Sequence, residues 1–300
     1  MTAIEKKVDE ILHGSVDFHI HSHMSPSYHW DLMEIGRQSL AAGLRAVLIK
    51  NLYGSSHEQC HMANKIMGMD MFYATLVLGH TTGGIRRAAV EKFVQFGGNN
   101  KIVEMPVFDS ARHLSFFGKP DDSGLKVIEV DRSTGELTAV LELIARHDLV
   151  LKTGHISPEE SIALIRIAKE AGIKKIVVTH ATGTPVMATI EQQVEMASLG
   201  ALIEHCVVKF LPVSILRNSK SAAHPDSNPK IGDLAYLKDS IRAVGPNHCI
   251  LGTDSGQAYH PYPHELFRYF VYLLLELGFS YEEIGQMARE NPCQLLDLSD

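Results

Sequence analysis

Two hydrophobic periods alternate along the chain. Short apolar runs suited to strands buried on both faces recur at residues 16–20, 46–49, 72–78, 102–107, 149–152, 176–179, 202–205 and 249–252. Between them, apolar positions repeat at helical spacing, as in Leu137, Val140, Leu141 and Ile144. Residues 1–12 read as a short amphipathic helix. Helices are then expected over 31–43, 57–67, 85–96, 136–146, 157–172, 184–200 and 266–275, with a last one opened by the Ser280 to Glu283 capping box and stopped by Pro292. Ser157-Pro158-Glu159-Glu160 adds a second capping box with proline at the first helical position.

Eight strands alternating with helices in 300 residues is the count for an α/β chain folded as a (β/α)8 TIM barrel. Helical crossovers require a parallel sheet. A doubly wound sheet would carry a glycine-rich phosphate loop after its first strand, and this chain has His21-Ser22-His23-Met24-Ser25-Pro26 there instead. A single domain over residues 1–300 is therefore expected, with long loops after strands 4 and 7, at 110–134 and 207–231. The second is polar and irregular, and reads either as a lid over a site or as a solvated excursion.

Composition narrows the setting. The chain is 45% hydrophobic and 21% charged with a net charge of −7 and no basic block, which argues against nucleic-acid and anionic-membrane partners. No signal peptide and no apolar run of transmembrane length is visible. Cys60, Cys206, Cys249 and Cys293 lack C-x-x-C spacing, so free thiols in a reducing cytoplasm are expected.

The candidate chemistry begins in the first strand. Side chains alternate there, so Asp17, His19 and His21 share one face and Val16, Phe18 and Ile20 the other. Two imidazoles one strand repeat apart can chelate a divalent ion. In a barrel all strand C-termini lie on one face, which would receive His19 and His21, then Lys50, His155, His180 and Asp254.

The set Asp17-Phe18-His19-Ile20-His21, Thr153-Gly154-His155, Val178-Thr179-His180, Gly252-Thr253-Asp254 and Asn291-Pro292-Cys293-Gln294-Leu295-Leu296 resembles the amidohydrolase superfamily of metal-dependent hydrolases, over nearly the whole chain. The resemblance implies that His19, His21, His155, His180 and Asp254 bind one or two divalent metals, zinc first, with manganese or iron as alternatives. Asp254 would also accept a proton from water. A small-molecule amide, lactone, cyclic imide or phosphoester would be hydrolysed, although some relatives decarboxylate or isomerise instead.

Binuclear members add a carboxylated lysine or a glutamate. Here Glu104 stands on the fourth strand, too early in it to reach the metal, and Lys50 is expected to be a catalytic residue, as a carboxylated ligand or as a cation holding an anionic substrate, rather than a snorkelling side chain. Lys152 is expected to face away from His155. His80 and His205 are candidate substrate contacts. A rival motif, His57-Glu58-Gln59-Cys60-His61, matches the zincin pentapeptide with its two histidines one helical turn apart. Oligomeric state is left open, homo-oligomers included.

Overall fold

The computed structural model describes residues 2–22, 30–120, 123–211, 233–258 and 260–298. The expected strands are all present: β1 (Val16–Ile20), β2 (Ala46–Ile49), β3 (Phe72–Val77), β4 (Asn100–Glu104), β5 (Val150–Lys152), β6 (Ile176–Val178), β7 (Leu202–Cys206) and β8 (Cys249–Gly252). They form one sheet in the order β1 to β8, the strand order of a (β/α)8 barrel. The helices are α1 (Ala3–Leu12), α2 (Leu32–Ala41), α3 (His57–Met67), α4 (Arg87–Gln95), α5 (Ala111–Phe116), α6 (Val127–Thr134), α7 (Glu136–Arg146), α8 (Pro158–Glu170), α9 (Ile190–Ser198), α10 (Leu234–Val244), α11 (Pro263–Glu276), α12 (Tyr281–Gly285) and α13 (Asn291–Leu296). Among the described residues, no helix is long and apolar enough to cross a membrane. The chain divides into two compact units, one of residues 1–49, 62–72 and 205–300, the other of residues 50–61 and 73–204.

In the first unit, β1 pairs in parallel with β2 and is bonded on its other side to the end of β8. The Asp254 N–H donates to the His19 carbonyl and the His21 N–H to that of Ser255, both at 2.8 Å. Asp17, fully buried, fastens this seam by accepting from the Thr253 N–H at 2.9 Å and the Thr253 hydroxyl at 2.6 Å. A buried carboxylate needs such donors, so Asp17 serves the backbone of β8. Asn291 does similar work from the far end of the chain, donating to the carbonyls of Cys249 (2.7 Å) and Pro246 (2.9 Å). Pro292 does not stop the last helix as expected. A π turn over Gln286–Glu290 precedes α13, the Asn291 N–H reaches back to the Gln286 carbonyl, and the missing proline donor falls harmlessly in the first turn.

In the second unit, β3 to β7 pair in parallel. The connection expected as a long loop after β4 contains two helices, α5 and α6. Ser110 caps α5 by accepting from the His113 N–H, a signal masked in the sequence by the breakers Gly118 and Pro120. The helix expected to open at Thr184-Pro185 begins only at Ile190, where Thr189 and Gln192 form a reciprocal capping box. The proposed lid falls mostly in residues 212–232, outside the described residues.

Candidate functional site

In the first unit, His19 lies on β1, His21 immediately past its end, and Asp254 two residues past β8. The seam between the strands brings the Asp254 Oδ1 to 3.3 Å from His19 Nε2 and 3.0 Å from His21 Nε2. The two rings meet edge to face, with centroids 5.1 Å apart. Asp254 takes φ of +55°, the left-handed region that a short polar side chain tolerates best among non-glycine residues, and this turns its carboxylate back over β1. Gly256 must be glycine for the same reason of room: a Cβ would stand 2.3 Å from the His21 carbonyl oxygen, at φ +143°.

The donor atoms of His19, His21 and Asp254 all lie within 4.8 Å of one another. A tetrahedral zinc ion with bonds of about 2.0–2.1 Å wants its ligand atoms about 3.3 Å apart, so this trio fits one. Lys209, just past β7, places Nζ 2.8 Å from Asp254 Oδ2. Burial alone would raise the Asp254 carboxyl, but the Lys209 ammonium and the rings of His19 and His21 outweigh it and hold the group well below the usual carboxylate range. Burial likewise drives His260 down to about 4, against the upward pull of Asp254.

The second unit holds a separate histidine chain. His155 Nε2 lies 2.9 Å from His180 Nε2, and on the opposite edge of the ring His155 Nδ1 lies 2.8 Å from His113 Nδ1. Beneath them run two buried ion pairs. Lys50 Nζ meets Glu104 Oε1 at 2.8 Å, and Thr179 Oγ1 donates to the same oxygen at 3.0 Å. Lys152 Nζ meets Glu204 Oε1 at 2.5 Å, while Glu204 Oε2 accepts from the His180 N–H at 3.0 Å.

The expectation that Lys152 packs outward is therefore wrong, since its side chain is wholly buried. Strand alternation fails as a guide because β5 ends at Lys152. Gly154 then turns at φ +66°, where a Cβ would stand 2.3 Å from the Met105 carbonyl oxygen, and this turn re-aims His155. Glu104 is the partner of Lys50.

The remaining candidates do other things. His80 is exposed in the turn after β3, with Nε2 2.9 Å from the Ser123 carbonyl and its N–H donating to Asp109 Oδ2. His205 is fully buried within β7. His57 stacks on Phe96 with centroids 4.1 Å apart and bonds Ser55 Oγ through Nδ1, while His61 is exposed. Among the described residues no third ligand gathers with this pair, so the zincin pentapeptide is the first turn of an ordinary barrel helix. Lys209, His260 and His113 stand outside the strand-end pattern that marks the other site residues in the sequence. Only His113 had a signal, the Ser110-x-x-His113 spacing of a helix cap.

No curated protein matches the sequence. Solved structures resemble the fold closely. An amidohydrolase from Pseudomonas aeruginosa is 14% identical over 96% of this chain and 98% of that one, with a TM-score of 0.64. A zinc-bound amidohydrolase from Burkholderia multivorans is 12% identical over 95% and 99%, with a TM-score of 0.58. A mutant PTE-like lactonase from Deinococcus radiodurans is 12% identical over 93% and 95%, with a TM-score of 0.59. What this chain shares with these proteins is the barrel fold. The family model described as a family of unknown function, DUF6282, matches residues 14–204, a span that holds His19, His21, His155 and His180 and ends before Asp254. By that match, this chain belongs to DUF6282.

Proposed function

We propose that this protein is a metal-dependent hydrolase of the amidohydrolase type, acting on a small molecule. The observation that carries the reading is the gathering of His19, His21 and Asp254 around one point between β1 and β8. Zinc is the first choice of ion, because imidazole and carboxylate donors suit it, and the Burkholderia multivorans relative holds zinc. The amidohydrolase resemblance adds His155 and His180 to the ligand set. When bound, the ion supplies polarisation of the bond to be cleaved and a lowered pKa for the attacking water.

The protein groups supply the rest. Asp254 accepts the proton at a carboxylate oxygen, and Lys209 on Oδ2 keeps that carboxylate ionised and aimed. Cys206 Sγ, 3.7 Å from His19 Nδ1, and the Thr253 hydroxyl on the His19 carbonyl hold the His19 ring and backbone in place.

The test is elemental analysis of purified protein, followed by reconstitution with zinc, manganese or iron and a panel of amides, lactones, cyclic imides and phosphoesters. Stoichiometric metal with turnover of one ester or amide class is the expected result. Protein that takes up no divalent ion overturns the reading, and turnover that releases carbon dioxide without adding water moves it to a decarboxylase.

A further inference from the structure

We infer that His113 is a positioning residue that fixes the tautomer and ring orientation of His155, an inference that rests on the proposed metal-binding role of His155. His155 is held at three points. Its N–H donates to the Pro106 carbonyl at 2.9 Å, its carbonyl accepts from the Ser110 hydroxyl at 2.7 Å, and its ring meets His113 Nδ1 at 2.8 Å. The same Ser110 oxygen accepts from the His113 N–H at 3.0 Å. The first turn of α5 is therefore a clamp: one hydroxyl sets the backbone of His155 and starts the helix that carries the ring partner.

Proton accounting gives the clamp a direction. Two imidazole nitrogens 2.8 Å apart share one proton. A His155 that offers Nε2 to an ion carries its own proton on Nδ1, so His113 Nδ1 is the acceptor and the His113 proton sits on Nε2. Histidine ligands of metals generally donate their second N–H to an acceptor that locks the ring, commonly a carboxylate or a carbonyl, and here an imidazole stands in that place. The rings of His113 and His155 lie nearly parallel, 12° apart with centroids at 5.1 Å, and Phe108 and Phe117 flank His113 at 4.9 and 4.7 Å. These aromatic contacts restrict the His113 ring while its Nδ1 meets His155. His113 is not itself a ligand of an ion bound at His155 Nε2, because it occupies the opposite edge of that ring.

Two substitutions separate acceptor from packing. His113→Phe keeps an aromatic ring between Phe108 and Phe117 but has no acceptor; His113→Asn loses the ring but can place Oδ1 where Nδ1 stood. Zinc affinity of each purified, metal-stripped protein is measured by competition with a chromogenic chelator, with thermal unfolding as the check on folding. His113→Phe should bind zinc about 10- to 100-fold more weakly than wild type, and His113→Asn within about threefold of it. Cobalt-substituted His113→Phe should also show an altered visible absorption spectrum. Equal affinity in His113→Phe and wild type overturns the inference while leaving the metal reading intact, as does an equal loss in both variants, which would make the role one of packing. Wild-type protein that binds no zinc overturns the functional reading and the inference together.

Discussion

Replacing Lys50 by methionine isolates a quantity the structure lets one work out. Lys50 and Glu104 are both buried, 2.8 Å apart, and the exchange removes the cation while nearly preserving shape. Glu104 then keeps the Thr179 hydroxyl at 3.0 Å but loses the Lys50 ammonium. Breaking a buried pair from one side typically costs about 3–5 kcal/mol. The carboxylate can limit the loss by taking a proton, and from an ordinary pKa of about 4.3 that costs about 3.7 kcal/mol at pH 7 and about 1 kcal/mol at pH 5.

The sign follows. In the variant, the folded-state pKa of Glu104 lies above its unfolded value, so the variant loses stability relative to wild type as pH rises above about 4.3. Urea unfolding of Lys50→Met and wild type at pH 5 and pH 7 should show a deficit that grows by about 2.7 kcal/mol, and Lys50→Met/Glu104→Gln should recover most of it. A pH-independent deficit, or none, would refute the reasoning. The same pair argues against a carboxylated Lys50, since a carbamate would set an anion beside Glu104 where the structure has an attraction.

Two further outcomes are expected. Asp254→Asn should fold normally, because asparagine also tolerates the left-handed backbone at this position, while kcat on an identified substrate falls by about 10²- to 10⁴-fold; a near-normal kcat in the metal-loaded variant would remove Asp254 as proton acceptor. His260 has a folded pKa of about 4, so as pH falls the unfolded chain takes up its proton first, near pH 6.5, and stability is lost down to about pH 4. Denaturant unfolding should show that His260→Gln loses about 2 kcal/mol less than wild type between pH 7 and pH 5, and equal losses would show that burial does not penalise this ring.

The strands, their order and most helices were legible in the sequence because burial on both faces writes continuous apolar runs such as Ala46-Val47-Leu48-Ile49, and because caps such as Ser157 and Ser280 act within a single turn. The positions of the histidines and Asp254 were legible for a related reason: each stands on a strand or a few residues beyond its end, where the barrel face is built. Direction was not. Lys152 was misjudged because the alternation rule holds only while the strand continues, and the left-handed Gly154 resets it two residues later. Pairing was not legible either. Lys50 with Glu104, Lys152 with Glu204, Lys209 with Asp254 and His113 with His155 join residues 42 to 54 positions apart. No local periodicity records such a pair. A buried charge or ring nitrogen must be satisfied, but which group satisfies it is decided only when the tertiary structure brings the candidates together.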